Sequence, residues 1–265
     1  MNLGKTNLFF SYLHIISALV IAILSYLHPN KNMKFNTSLY RYQVDGIVGD
    51  SDMQDVDVGV KEEFNISTQT IQILITLMFC IAGFFHLFYF TNGFYTKAYL
   101  AEVRAGYNRY RWLEYSITSA IMAFILSTLA GFKDLYAVIL TCVLISSMCM
   151  IGFFIERSKK KSDKTVGLVA GAGIMATVLA LFYTSYFNLR AEIKNEGGKS
   201  EDWVMGVLIG SGVILMAIGL LTILYVGGYR VKDFDYILYE KLYTYFSFIS
   251  KAYLGYYTMY GILSS

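Results

Sequence analysis

The chain has 265 residues, 56% of them hydrophobic and 15% charged, against ~25% charged in an average soluble protein, and its mean hydropathy is +0.49. With one proline, Pro29, and a net charge of +3 that is not gathered into a basic tract, this composition excludes a soluble globular domain and a nucleic-acid binder. The class it points to is an all-α, polytopic membrane protein forming one domain over residues 1–265.

A spanning helix needs ~20 mostly apolar residues, and the chain offers seven candidates. The first, 8–27, reads "LFFSYLHIISALVIAILSYL". Its length and its lack of a small-residue cleavage site argue against a signal peptide. A polar stretch over 29–68 follows, and the alternation in "LYRYQVDGIV" predicts a small β-hairpin. The second span, 70–95, surrounds "ILITLMFCIAGFFHLFYF"; the third, about 108–131, carries "WLEYSITSAIMAFILSTLAG". The fourth is 135–155, the fifth 166–188, the sixth 203–228, and the seventh about 237–262. Cys80, Cys142 and Cys149 all fall inside these apolar runs, so they read as small buried residues, with no disulfide framework and no metal site.

Orientation follows from loop charge. The loop after the second span holds Lys97, Arg104, Arg109 and Arg111 against Glu102 alone. The loop after the fourth, "ERSKKKSDK", is basic, and the loop after the sixth has Arg230 and Lys232. These three share one side of a seven-helix path. The long first loop lies on the other side and is acidic, with Asp45, Asp50, Asp52, Asp55, Asp57, Glu62 and Glu63 against Lys31, Lys34, Arg41 and Lys61. The expected topology has a cytoplasmic N-terminus, an extracellular C-terminus and an extracellular loop over 29–68. Asn36 and Asn65 begin N-x-S/T patterns within that loop.

Lys251 stands in "FSFISKAYLGYYTMYG" with about ten mostly apolar or aromatic residues on each side. Snorkelling is out of reach at that depth, so the ammonium must be paired, neutralised or used. Glu114 is the clearest acid inside the spans. It lies ten residues beyond Arg104, as Lys251 lies ten beyond Lys241, which puts both ~15 Å in from those charges. The two are expected to pair. The pair could compensate each other structurally, but intramembrane charge reads as functional by default. Lysine is also the side chain that condenses with a carbonyl. A buried Schiff-base cation needs a counter-ion, and the tyrosines and phenylalanines around Lys251 suit a flat polyene.

"RWLEYSITSAIM", "SFISKAYLGYYTMYG" and "GFFHLFYFTNGFY" resemble the heliorhodopsins, and the similarity runs over all seven spans. The resemblance implies all-trans retinal bound through Lys251, with Glu114 as counter-ion and Ser247 hydrogen-bonding in the same region. The i, i+4 spacing of Ser247 and Lys251 agrees with this. It also implies that Tyr115 and Ser119 line the chromophore. His14 and His86 would face a polar cavity, with Arg111, Asn108 and Tyr99 as the cytoplasmic part of the network and Glu156 joining it. Hydrogen-bonded structural histidines and a positive-inside Arg111 are the competing readings. Two family features are absent: "GAGIMATVLA" has no Pro-Trp pair, and the stretch around "VILMAIG" has no Phe-Asn. The pocket walls are accordingly smaller and less aromatic. Family members are commonly homodimers in the bilayer.

The expected function is non-enzymatic: a light-sensing photoreceptor whose output to an unknown cytoplasmic signalling partner uses the loops 96–111, 156–165 and 229–236. The rival is a light-activated proton or ion transporter, which needs titratable groups on the extracellular side, with Glu192, Glu196 and Asp134 as candidates. A non-retinal carrier with a structural lysine–glutamate pair is a third class and predicts no visible absorption.

Overall fold

The computed structural model describes residues 3–27, 37–48, 55–91, 93–195, 197, 202–226 and 236–264. Arg230, Lys232, Lys31, Lys34, Asp50, Asp52, Asn36 and Glu196, used above for orientation, glycosylation or transport, lie outside these residues. Among the described residues the order is α1 (Leu3–Leu27), β1 (Thr37–Val48), β2 (Asp55–Ile66), α2 (Thr68–Thr91), α3 (Gly93–Arg104), α4 (Arg109–Leu129), α5 (Leu135–Arg157), α6 (Lys161–Asn195), α7 (Asp202–Val226) and α8 (Tyr236–Ser264). The two strands pair antiparallel from Thr37 opposite Ile66 to Val48 opposite Asp55, with irregularities after Arg41 and Val44.

Six helices, α1, α2, α4, α5, α6 and α7, are long and apolar enough to cross a membrane. Helix α8 has the length, but Glu240, Lys241, Lys251 and its tyrosines lower its hydropathy, and it is not among the six. Its polar groups turn inward instead: Glu240, Thr244, Ser247, Lys251 and Thr258 are all buried. The outer surface carries Ile16, Leu19, Ile73, Leu140, Val169 and Ile209 in exposed positions, the inverse of a soluble protein's distribution and the one a lipid solvent favours.

Three sequence expectations change. The segment 97–104 is part of a separate helix, α3, which buries Tyr99, Glu102 and Val103 against the bundle. Helix α6 runs 35 residues rather than stopping at 166 and 188. At 1.5 Å per residue it is ~50 Å long and overshoots a ~30 Å hydrocarbon core. Its charged ends remain helical, with Asp163 in the first turn and Lys194 in the last, the signs the helix dipole favours. Of the cysteines, Cys149 is buried and Cys142 half-buried, while Cys80 is exposed on the apolar surface; all are free thiols.

Capping groups fix where α4 and α5 begin. Asn108 accepts from the backbone N–H of Tyr110 and Arg111, and Asp134 from that of Tyr136. Helix α4 ends at Gly131, whose φ of +80° lies in the left-handed region. A Cβ there would also meet the Leu189 side chain of α6. We therefore expect Gly131→Ala to destabilise the protein by about 1–2 kcal/mol, read as a lower thermal midpoint in detergent.

Candidate functional site

Lys251 and Glu114 are each 2% exposed, and Lys251 Nζ lies 3.1 Å from Glu114 Oε1. Lys251 also donates to Ser247 Oγ at 2.6 Å, one turn earlier on α8. On the other side of the pair, Thr118 donates to Glu114 Oε1 at 3.2 Å. The ring centroid of Tyr115 is 5.2 Å from Nζ, and its hydroxyl donates to the carbonyl of Tyr243 at 2.9 Å. Helices α4 and α8 thus meet through an ion pair, a cation–π contact and a phenol-to-backbone hydrogen bond.

Tyr115 also lines an apolar cleft enclosed by α4, α5, α6, α7 and α8, with Trp112, Ser119, Gly171, Gly219 and Tyr243 among its walls. Small residues on α6 and α7 open the side that faces the aromatic wall. Gly152 on α5 serves the same packing, since the Trp112 ring occupies the space a Cβ would take. These residues fit a polyene aldehyde. The Tyr115 ring joins the two features, facing the buried amine of Lys251 and lining the apolar cleft.

The histidines sit on the α1–α2 side. His14 and His86 stack with centroids 5.5 Å apart and planes 9° from parallel, and both are within electrostatic reach of Lys251. His86 Nδ1 hydrogen-bonds Asn7 Oδ1 at 3.0 Å. Asn7 Nδ2 donates to Tyr99 Oη at 3.0 Å, and the Tyr99 phenol lies beside Glu240. The histidines therefore connect through Asn7 to α3 and α8.

The third group surrounds Arg111, which is 3% exposed and pairs with Glu156 of α5 and Glu240 of α8. Glu156 Oε2 accepts from Trp112 Nε1 at 2.8 Å, from the Tyr236 hydroxyl at 3.1 Å and from the Asn108 backbone N–H at 3.3 Å. Asn108 caps α4 through its oxygen and donates through Nδ2 to Glu240 Oε1 at 2.6 Å. The guanidinium also lies over the rings of Trp112, Tyr239 and Tyr243. Arg111 is thus a buried bridge rather than an anchor at the membrane surface.

Glu192 does not join these groups. It is half-exposed beyond the opposite end of the bundle, where Lys133 Nζ contacts both of its oxygens at 2.6 and 2.8 Å. Asp134 is spent on capping α5. Asn7, Thr118 and Glu240 belong to these clusters and are additional to the residues named from sequence. Each was findable by helical spacing. Asn7 is seven residues before His14, Thr118 four after Glu114, and Glu240 seven before Ser247.

Removing Arg111 leaves two buried carboxyls without their shared cation. Arg111→Gln is expected to destabilise by about 3–5 kcal/mol near neutral pH. The loss should shrink as pH falls, because protonation neutralises the orphaned acids. Thermal denaturation across a pH series checks this, and a pH-independent loss would contradict it.

The sequence model of the Heliorhodopsin family matches residues 3–263. No curated protein matches the chain. Among solved structures, the chain is similar to cyanorhodopsin (CyR) N4075R from the cyanobacterium Tolypothrix sp. NIES-4075, with a TM-score of 0.64 at 12% identity, covering 100% of this chain and 97% of that one. It is also similar to a thermophilic rhodopsin, with a TM-score of 0.60 at 14% identity, covering 100% and 95%. At such identities these likenesses show a rhodopsin fold. With a match over nearly its whole length, the chain belongs to the heliorhodopsin family, which makes it a multi-pass membrane protein and implies a retinal-binding, light-responsive one rather than a classical enzyme.

Proposed function

We propose that this protein is a photoreceptor in which all-trans retinal is held as a protonated Schiff base on Lys251, with Glu114 as its counter-ion. The observation that carries the reading is the pair itself: an amine and a carboxylate 3.1 Å apart, both buried in a bundle, with Tyr115 between the amine and an apolar aromatic cleft. Bound there, retinal supplies light absorption and an isomerisation. The chain supplies the rest. Glu114 stabilises positive charge on the Lys251 nitrogen, Ser247 and Thr118 orient the two partners, and Tyr115 and Ser119 belong to the cleft wall. His14 and His86 offer neighbouring sites for a proton that leaves that nitrogen. Moving one charge within a dry bundle alters the balance of the contacts among α1, α2, α4 and α8, and this biases the helices toward a second arrangement.

In this reading α8 is the seventh span and the N-terminus is cytoplasmic. The end of the bundle bearing Lys97, Arg104, Arg109 and the 157–164 basic run is then the cytoplasmic end. The Tyr99–Asn7 contact supports this, since it puts the start of α1 at the same end as α3. Signalling would leave through α3 and the α5–α6 connection. The exposed, ion-paired position of Glu192 favours sensing over transport, because no extracellular proton site is formed by it.

The test is a visible absorption spectrum after addition of all-trans retinal. The wild type is expected to show a band far to the red of free retinal, and Lys251→Ala none; no band in either would overturn the reading. In Glu114→Gln the nitrogen loses the charge that favours its protonated form. Its red-shifted band should therefore give way to the near-ultraviolet form at a lower pH than in wild type. Sensing further predicts photocycling without photocurrent; a pump-like current abolished by Glu192→Gln would favour transport.

A further inference from the structure

At the end of the bundle where α1 stops and α2 starts, the chain sets polar side chains into a lipid-facing wall. Thr68, Gln72, Thr76 and Cys80 recur every four residues and so form one stripe of α2. Opposite this stripe, α1 offers the small side chains Ala22 and Ser25. The two helices are in close contact further along. There a Cβ on Gly83 would lie 3.0 Å from the Ile15 side chain, and Ser11 Oγ donates to the Gly83 carbonyl at 3.0 Å. Beyond that contact the small residues leave a half-open groove of about 460 Å³, with Ile262 of α8 in its wall. A volume of this order is that of a small-ligand site.

The groove is graded along its length. Gln69, Gln72, Ser25 and Tyr26 stand toward the helix ends, while Ile73, Leu77 and Cys80, all exposed, line the ~12 Å beyond. Gln72 is the group that lacks a counterpart. It is 8% exposed, and among the described residues its side-chain amide meets no hydrogen-bond partner. The hydroxyls beside it are committed to helix carbonyls: Thr76 donates to that of Gln72 at 2.9 Å, and Ser25 to that of Ile21 at 2.7 Å. A carboxamide left without a partner in such a wall is costly.

These features select a ligand. None of the lining residues is charged, so nothing there holds a phosphate, a carboxylate or an amine. A hydroxyl, at once donor and acceptor, matches both ends of the amide. An apolar body is needed to cover the exposed wall deeper in the span. We propose that this groove binds a neutral lipid alcohol of the sterol class, with its hydroxyl on Gln72 and its ring system along Ile73, Leu77 and Cys80. The bound alcohol touches α1, α2 and α8 together and so ties their ends. The site depends neither on retinal nor on the direction in which the chain crosses the membrane.

The test is photolabelling of the full chain in phosphatidylcholine bilayers that contain a trace of diazirine-bearing cholesterol, followed by peptide mapping. Adducts are expected on the peptides holding residues 22–26 and 69–80, and excess cholesterol should remove them. Gln72→Met keeps the length of the side chain and drops the amide, and it should lower these adducts roughly 10-fold. Without sterol the same variant should keep the thermal midpoint of the wild type, because the amide has no protein partner to lose. Adducts spread over all lipid-facing helices, or undiminished in Gln72→Met, overturn the proposal. So does a lower midpoint for Gln72→Met without sterol, which would show the amide bonded within the protein. Equal labelling of the same peptides by a diazirine-bearing phosphatidylcholine would show a groove for acyl chains with no choice of head group. A disulfide between the Cys80 residues of two copies on oxidation would show that a second copy covers this face. Either result also overturns it.

Discussion

An ammonium ion buried in a lipid-facing bundle constrains everything near it. Lys251 has no route to water, so a partner must be brought to it, and the partner must come from another helix at the same depth. Glu114 meets that requirement from α4 at 3.1 Å. Once α4 and α8 are drawn together there, their neighbouring turns are in register for further contacts. Tyr115 reaches the carbonyl of Tyr243, and one turn further Arg111 reaches Glu240. A buried pair is weak evidence for stability, but it is strong evidence for register. Exchanging either helix's partners would strand a charge in hydrocarbon.

Helix α8 is where the two charged groups are coupled. Glu240, Ser247 and Lys251 lie on one face at intervals of seven and four residues, so a small rotation or shift of this helix changes both the Lys251 and the Arg111 contacts at once. Among the aromatic rings between them, Tyr243 packs edge to face on Tyr239 at 4.6 Å and on Trp112 at 5.8 Å, and all three rings cover the guanidinium. A change of charge at Lys251 thus has a short physical route to the end of the bundle where α3 and α5 end. No long-range pathway has to be invoked; the same rod carries both sites.

Much of this was legible from residues alone because membranes simplify the problem. Six apolar runs are recognisable by length, and the seventh by the lysine that makes it anomalous. Matched distances from flanking charges brought Glu114 to Lys251 before any coordinates. Helix ends were less legible. The charged tips of α6 read as loop because hydropathy reports lipid, not backbone conformation, and α3 was hidden because its apolar positions are too few for a span. Glu240 was overlooked for a related reason. It precedes Lys241 near the end of an apolar run, where a charge normally faces water. Only its spacing from Ser247 and Lys251 marks it as inward. Glu192 shows the converse, an acid near a helix end that does face water and pairs with Lys133.

The claim on which the rest depends is that the buried amine of Lys251 is the attachment point for the chromophore. Borohydride reduction after incubation with retinal, followed by peptide mass mapping, tests it directly. The account predicts one retinyl adduct, on the peptide containing Lys251, with the other lysines unmodified. An adduct on a different lysine, or none under conditions that give a visible band, would contradict it.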